Sequence, residues 1–461
     1  MCIATHPPCT STPMGGSECR EEFTGLPVYG SRTETENRRE APPTTDRRSV
    51  AMTRRRKHNG VGTPLILGLI LQIILIENFS SAQTAECPPP ETIPGCPCYN
   101  FEDGLFLECA GATEDTLRTT LQGVLNSAGS GTMVQSLSVY ELDKAVEELK
   151  DCFPVGFQIR HLQISHSSLR AISETAFANL KDSLESLALV YSRLPHVPQK
   201  SLADLPKLAA LNLEANLIQD LSSYCFYGLK LMKLTLKGNQ ISKISEYAFA
   251  GLEDSLSDLD LAENKLKLFP MAPLRRLESL ASLRIAWNEI SEIPDDGYSL
   301  LSSLFALDLS SNNFEKLSED CFRPCPILHS LSLYYNSIET IHKDAFVSLK
   351  NLESIDLSHN KIVFLDVATF KGNERLRSIE LSHNHIHYIG GVFARLPELR
   401  ELYLAENNIL EIPGDAFIGS ISLDVVDLQQ NAIRRIDGKG LSSLTQLAQL
   451  HLSNNYIEKV P

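Results

Sequence analysis

Histidines at alternate positions are the clearest candidates for metal chemistry in this chain. His383, His385 and His387 are separated by single residues, and His359 lies 24 residues before the first of them. Imidazole nitrogen is a common zinc ligand, and alternate residues of an extended segment point to the same side. No carboxylate or cysteine completes the ligand set. Surface histidines are therefore the preferred interpretation, and we expect no metal site.

The sequence also lacks signatures of catalysis. It contains no nucleophile elbow, no phosphate loop and no paired carboxylates in a context that would form a pocket. The chain has 42 Lys and Arg residues against 57 Asp and Glu, a formal net charge of −15. No basic patch indicates nucleic acid or anionic lipid. We therefore expect no enzyme, no cofactor, no small-molecule substrate and no nucleic-acid partner.

Regularly spaced asparagines define the elements that position these residues. They follow one another at intervals of 23 to 25 residues, each within the frame L-x-x-L-x-L-x-x-N, and are Asn216, Asn239, Asn264, Asn288, Asn312, Asn336, Asn360, Asn384, Asn407, Asn431 and Asn455. This period and frame predict an α/β solenoid, the leucine-rich repeat horseshoe, with a parallel inner sheet. A buried Asn amide has donors and an acceptor for the backbone groups exposed where each strand ends, so we interpret this asparagine ladder as structural.

The repeats begin before the first asparagine. Leu162 and Ile164, and Leu187 and Leu189, hold the same strand frame with serine in the asparagine position, and Leu137 and Val139 form a degenerate one. We predict about thirteen regular repeats and one degenerate repeat over residues 137–461. The last repeat is incomplete at Pro461, and we expect the sequence to be part of a longer protein.

Binding residues are predicted on the inner sheet, at outward-pointing positions around each Leu-x-Leu pair. Large aromatic and charged side chains cluster there in successive repeats, and aromatic and Arg side chains are enriched among binding hot spots. The alternative is ordinary sheet surface, because aromatic residues also suit strands. The candidate residues are Arg284, Trp287, Asp308, Tyr334, Tyr335, Asp356, His359, Glu380, His383 and Tyr403.

Cysteines upstream of the repeats predict a cap for the first repeat. Cys87, Cys96, Cys98 and Cys109 form the pattern C-x8-C-x-C-x10-C within residues 83–136, which we assign to the cap and linker. A metal site is the weaker interpretation because no histidine set matches, and four cysteines allow three disulfide pairings. Downstream, Cys321 and Cys325 could form a local disulfide or remain two buried thiols.

A secretory signal peptide is predicted over residues 52–82. The basic stretch 54–57 precedes an apolar run from residue 65 to 76, and small residues follow at 80–82. A signal anchor is the alternative, although the apolar run is short for a membrane span. We interpret residues 1–51 as a disordered or untranslated extension. The repeats would then face an oxidising, extracellular environment, in which disulfides persist.

The cap and the repeats resemble a known family. The cap reads CPCYNFEDGLFLECAGATEDTLR over residues 96–118, and repeats contain LDLSSN and IDLSHN. These are similar to arthropod extracellular leucine-rich repeat proteins of the chaoptin and artichoke kind, with the artichoke type closest. The resemblance implies a first-to-third and second-to-fourth cysteine pairing, Cys87–Cys98 and Cys96–Cys109.

The same resemblance implies a function in cell adhesion or extracellular-matrix organisation. The protein would be secreted, in the matrix or on the outer cell surface, and would bind extracellular or cell-surface proteins through its concave face. It could also form homophilic contacts, between copies of the same protein. Two alternatives remain at this point: the ectodomain of a ligand-sensing receptor, and a non-catalytic subunit or inhibitor of a secreted enzyme.

Overall fold

The computed structural model describes residues 86–93, 95–128, 132–295, 297–298 and 300–459. These residues belong to one compact unit of the chain. The extension 1–51 and the signal peptide 52–82 predicted above lie outside the described residues.

Short strands account for most of the regular structure in the described residues. The four α-helices are α1 Glu114–Ala128, α2 Gln199–Leu202, α3 Met271–Leu274 and α4 Gly438–Ser442, and 3-10 turns lie at Pro90–Thr92 and Ala178–Leu180. The strands are β1 Cys98–Phe101, β2 Gly104–Ala110, β3 Met133–Tyr140, β4 Glu148–Leu149, β5 Gln158–Ser165, β6 Ala171–Ile172, β7 Ser186–Val190, β8 Ala210–Asn212, β9 Asp220–Leu221, β10 Lys233–Thr235, β11 Lys243–Ile244, β12 Asp258–Asp260, β13 Ser282–Arg284, β14 Ala306–Asp308, β15 Lys316–Leu317, β16 Ser330–Ser332, β17 Thr340–Ile341, β18 Ser354–Asp356, β19 Ser378–Glu380, β20 Glu401–Tyr403, β21 Glu411–Ile412, β22 Val425–Asp427, β23 Arg435–Ile436 and β24 Gln449–His451.

One long sheet runs through all the repeats. In the described part of the chain it has sixteen strands in the order β1-β2-β3-β5-β7-β8-β10-β12-β13-β14-β16-β18-β19-β20-β22-β24. Only the first pair, β1 and β2, is antiparallel, and each later strand pairs in parallel with the next. The register places equivalent leucines side by side, as in Leu283, Leu307 and Leu331. The predicted solenoid with a parallel inner sheet is therefore confirmed.

The leucines of each frame form a continuous core behind this sheet. Leu307 and Leu309, two residues apart, are both buried, because residues two apart on a strand share a face. On the outer side, phenylalanines of successive repeats stack, with Phe346 and Phe370 ring centroids 5.8 Å apart and their planes inclined by 2°. Each repeat thus buries its apolar side chains against its two neighbours, as expected of a solenoid.

The asparagine ladder connects each repeat to its neighbours. Asn336 is buried, and its Nδ2 donates to the carbonyl oxygens of Leu309 in the preceding repeat and Leu333 in its own, both at 3.1 Å. Its Oδ1 accepts from the N–H of Phe314 at 3.2 Å. The side chain therefore satisfies backbone groups where the chain leaves the strand, which agrees with the structural interpretation.

A disulfide-bonded cap precedes the repeats. Cys87 is bonded to Cys98 and Cys96 to Cys109, which confirms the pairing that the resemblance implied. Helix α1 follows the β1–β2 hairpin and buries Leu117 against the cap core. Because β2 pairs in parallel with β3, the cap continues the inner sheet and covers its first repeat.

The remaining cysteines of the described region are thiols. Cys321 and Cys325 are not bonded to each other, so the buried-thiol interpretation is the correct one for this pair, with Cys325 buried and Cys321 partly so. Burial raises the pKa of both thiols to about 12. They are therefore unreactive packing residues near neutral pH.

Candidate protein-binding surface at the ends of the inner strands

The residue directly before each asparagine of the ladder has a left-handed backbone. The φ angles are 54° at Trp287, 52° at Ser311, 54° at Tyr335, 53° at His359 and 56° at His383. This conformation is uncommon for non-glycine residues. We call these equivalent positions, from His166 to Asn454, the left-handed column.

Hydrogen bonds between neighbouring repeats fix this conformation. The backbone N–H of Trp287 donates to the carbonyl of Ser310 at 2.9 Å, and that of Ser311 to the carbonyl of Tyr334 at 2.8 Å. The column therefore holds its side chains at the carboxyl ends of the inner strands, at similar positions in successive repeats.

Aromatic side chains of the column lie close together across five repeats, four of which contribute a ring. The Trp287 and Tyr335 ring centroids are 6.4 Å apart, those of Tyr335 and His359 are 6.2 Å apart, and those of His359 and His383 are 4.0 Å apart. Tyr334 packs against Tyr335 at 5.8 Å and edge-on against His359 at 5.1 Å. We call these five residues the ring stack.

The ring stack is exposed and ends at a carboxylate. Trp287 is 59% and Tyr335 56% exposed. At the other end, Nδ1 of His383 lies 3.0 Å from Oε2 of Glu406, which occupies the next position of the left-handed column. Contacts between neighbouring rings restrict their motion, which lowers the entropy cost of binding.

The other predicted residues lie on the strands themselves. Arg284, Asp308, Asp356, Glu380 and Tyr403 occupy the middle position of their Leu-x-Leu frames and are aligned by the register of the sheet. We call this row, from Asp260 to Asp427, the strand column. It runs beside the left-handed column along the inner surface.

Several of the strand-column groups are bound within the protein. The carboxylates of Asp308, Asp356 and Glu380 accept the N–H of the serine two residues later, at 3.0, 2.9 and 2.8 Å. Arg284 Nη1 lies 3.3 Å from Oδ2 of Asp260. These contacts stabilise the turns after the strands, so the acids have a structural role as well as a charge.

Burial and mutual repulsion shift the ionisation of three groups on this surface. Burial raises the pKa of Glu380, and the nearby carboxylates Asp356 and Asp427 add to the effect. The pKa of Tyr403 is raised by burial and by neighbouring acids. Burial, followed by the charge of His383, lowers the pKa of His359. Each of these three shifts disfavours the charged form of the group concerned.

The four histidines considered for metal binding are arranged differently from a ligand set. His383 stacks on His359, whereas His385 and His387 are exposed. No group of three or more His, Cys, Asp or Glu residues in the described ranges is arranged to hold a metal ion.

Two further aromatic residues of the left-handed column escaped the sequence analysis. His166 and Tyr191 precede the serines that stand in the asparagine position, and their rings stack with centroids 4.8 Å apart. Glu406 was also missed. All three occupy the position directly before the asparagine or serine of their repeat. Comparing that position in every repeat, and not only in the repeats rich in aromatic residues, would have found them.

Among the described residues, no helix is long and apolar enough to cross a membrane.

The sequence matches the family model described as leucine rich repeat over residues 182–241, 230–290, 302–362, 351–409 and 397–457, which is more than half of the chain. The chain therefore belongs to the leucine-rich repeat family. With its disulfide-bonded cap, it is a leucine-rich repeat protein of the capped, parallel-sheet type.

Curated relatives match over short stretches. Prolargin of Mus musculus is 38% identical over 65 residues, covering 14% of this chain and 17% of prolargin. Fibromodulin of Sus scrofa is 40% identical over 63 residues, covering 14% of this chain and 42% of fibromodulin. Toll-like receptor 3 of Boselaphus tragocamelus is 42% identical over 76 residues, covering 16% of this chain and 8% of the receptor. The chain thus spans less than half the length of each of these proteins.

Solved structures share the fold over most of the described chain. The TLR13–ssRNA13 complex superposes with a TM-score of 0.65 at 24% identity, covering 75% of this chain and 50% of that one. A leucine-rich repeat protein of Leptospira interrogans gives 0.63 at 25% identity, covering 77% and 85%. The Drosophila Toll–Spatzle complex gives 0.61 at 18% identity, covering 76% and 50%.

Proposed function

We propose that this protein is secreted or held at the cell surface and binds other proteins through the ring stack and the adjoining strand column. Its function would be cell adhesion or extracellular-matrix organisation. The observation behind the proposal is the ring stack itself: five neighbouring aromatic side chains, of which Trp287 and Tyr335 are more than half exposed.

Binding is favoured over catalysis by the arrangement of this surface. Its carboxylates are engaged with their own turns, and its histidines stack instead of facing an open pocket. Rigid aromatic side chains bring large contact area at low entropy cost, and Trp, Tyr and Arg dominate interface energies. A surface of this kind is suited to a protein partner.

The extracellular location is supported by the two cap disulfides, since such bonds persist in oxidising compartments. The resemblance of the cap and repeats to the chaoptin and artichoke kind, artichoke closest, supports adhesion or matrix organisation in particular.

The proposal is tested by removing the two most exposed rings together. Trp287→Ala with Tyr335→Ala should weaken binding of the secreted protein to cell surfaces or matrix at least tenfold, about 1.4 kcal/mol. The fold should persist because neither side chain contributes to the core.

A matched control uses the outer side of the repeats. Tyr227 and Phe364 are each 61% exposed, so the double change Tyr227→Ala with Phe364→Ala removes similar exposed aromatic area. It should leave binding unchanged. Loss of binding in this control, with none in the Trp287 and Tyr335 variant, would place the partner on the outer side and overturn the proposal.

A further inference from the structure

Trp287 and Tyr335 are separated by one intervening repeat. Ser311 occupies the position of the left-handed column between them. The backbones of the two aromatic residues are therefore two repeats apart, and their rings approach each other across the serine. Their ring planes are inclined by only 22°, with centroids 6.4 Å apart. His359 and His383, in adjacent repeats, stack directly at 4.0 Å. We call the space bounded by Trp287, Ser311 and Tyr335 the ring cleft.

The rings that bound the cleft lie closer together than one flat group between them requires. Carbon atoms in contact lie about 3.5–4.0 Å apart, so a planar group touching both rings would separate them by about 7 Å. The ring centroids are 6.4 Å apart, which is an upper limit on the separation of the ring planes, so the two exposed side chains must move apart to admit such a group. A tetrahedral ammonium group has no flat faces, so it cannot stack on both rings at once.

The floor of the cleft holds an unused polar atom. Ser311 Oγ is buried and has no hydrogen-bond partner among the described residues. A buried hydroxyl without a partner costs free energy, and an N–H group arriving between the rings would recover it. The hydroxyl could accept a hydrogen bond at the base of the cleft.

The charge beside the cleft favours a cation. The strand-column positions from Asp260 to Asp427 contain five carboxylates and one base, Arg284. Arg284 is directed to Asp260 and Asp258, at 3.3 and 4.0 Å. Asp308, in the same repeat as Ser311, keeps its carboxylate on this surface. The chain as a whole has a net charge of −15.

We propose that the ring cleft binds the guanidinium group of an arginine side chain of the partner protein. Guanidinium is planar, permanently charged and weakly hydrated, and it stacks on aromatic faces while its N–H groups remain available. Trp287 and Tyr335 would contact its two faces, Ser311 Oγ would accept one N–H, and the strand-column acids would attract its charge. This inference rests on the proposed function and identifies the chemistry that the same surface recognises.

Trp287 is the single tryptophan of the chain, so its emission reports on the cleft directly. The full chain, as secreted, is titrated with the blocked tripeptide Gly-Arg-Gly and with versions carrying lysine or citrulline instead. Citrulline is planar but uncharged. We expect a saturable change in emission with the arginine peptide, and binding weaker by about threefold or more with each of the others. Equal affinity for all three peptides would overturn the inference.

Filling the cleft provides the matched variant. Ser311→Tyr introduces a third ring, and Tyr191 and Tyr335 already occupy this column with φ of 50° and 54°, so the backbone accepts tyrosine there. The arginine peptide should no longer change the emission of Trp287. Tyr335→Ala, which removes one wall at an exposed position, should also abolish the response. A response that persists in both variants would contradict the inference.

The peptide titration and the attachment assay together distinguish failure of this inference from failure of the proposed function. If the arginine peptide does not bind while Trp287→Ala with Tyr335→Ala still weakens attachment to cells or matrix, the protein-binding surface stands and arginine is rejected as its ligand. If the arginine peptide binds as expected while that double variant attaches normally, the cleft stands and the proposed function is rejected.

Discussion

Asn407 donates a hydrogen bond of 2.9 Å from Nδ2 to the carbonyl oxygen of Leu381 in the preceding repeat. It also donates to Leu404 at 3.2 Å and accepts from the N–H of Ile386 at 3.0 Å. One buried amide thus satisfies backbone groups of two repeats, and the same arrangement recurs along the ladder.

Loss of one ladder residue should therefore destabilise the solenoid. Asn407→Leu leaves buried backbone groups without partners and should lower the free energy of unfolding by about 1–3 kcal/mol. Asn408, the next residue, is exposed, so Asn408→Leu is the control and should change stability by less than about 0.5 kcal/mol. Urea unfolding measures both. Equal losses in the two variants would refute the structural role of the ladder.

The cap disulfides should stabilise the first repeats. Cys96→Ser opens the bond to Cys109, which links residues 13 apart, and should cost roughly 2–4 kcal/mol. Because both cysteines act in one bond, Cys96→Ser with Cys109→Ser should be no less stable than the single variant. Urea unfolding compares them. Additive losses would show that the two cysteines do not act as a pair.

Buried thiols should resist alkylation. Burial raises the pKa of Cys225 and Cys325 to about 12, so at pH 8 only about one thiol in ten thousand is ionised. Iodoacetamide should modify them slowly in the folded protein and completely in guanidinium, as followed by mass spectrometry. A peptide containing Cys321 bonded to Cys325 in a non-reduced digest would contradict the assignment of both as thiols.

Acid should weaken the ring stack through His359. Its pKa is lowered by burial and by His383, so the folded protein binds this proton less tightly than the unfolded chain. Its contribution to stability is present above the ordinary pKa of 6.5 and is lost as pH falls through that value to the lowered one.

His359→Gln should therefore reduce the loss of stability between pH 8 and pH 5. The titratable groups acting on this residue are His383, Asp356 and Glu406, and they remain in the variant. Urea unfolding at both pH values measures the difference, and His385→Gln, at an exposed position, is the control. An unchanged pH dependence in His359→Gln would show that His359 titrates normally.

Much of the fold could be predicted from the spacing of the asparagines and leucines alone. The intervals between Asn216 and Asn455 give the repeat length, and the Leu-x-Leu pairs give the inner face, because both depend on local sequence and on stacking of equivalent positions. The disulfide pairing required the family resemblance, since spacing leaves three pairings open. The free Cys321 and Cys325 could be assigned only from the structure.

The candidate surface was less predictable. The sequence places Trp287 and Tyr335 at equivalent positions of their repeats. The spacing does not reveal that their ring centroids lie only 6.4 Å apart across Ser311. Nor does it show that the position before each asparagine is left-handed, because that depends on hydrogen bonds between repeats. Asp308 was grouped with the aromatic residues, although its carboxylate accepts from the turn that follows its strand.

The central claim, that a partner protein covers the ring stack, can be tested at a single atom. Incorporation of 5-fluorotryptophan gives one fluorine-19 resonance, from position 287, because the chain has a single tryptophan. Phe364→Trp adds a second resonance, on the outer side, to a protein that keeps Trp287. On addition of a solubilised cell-surface or matrix fraction that binds the protein, the resonance at position 287 should shift or broaden in proportion to binding, and the outer reporter should not change. A response of the outer reporter alone, with the resonance at position 287 unchanged, would contradict the account.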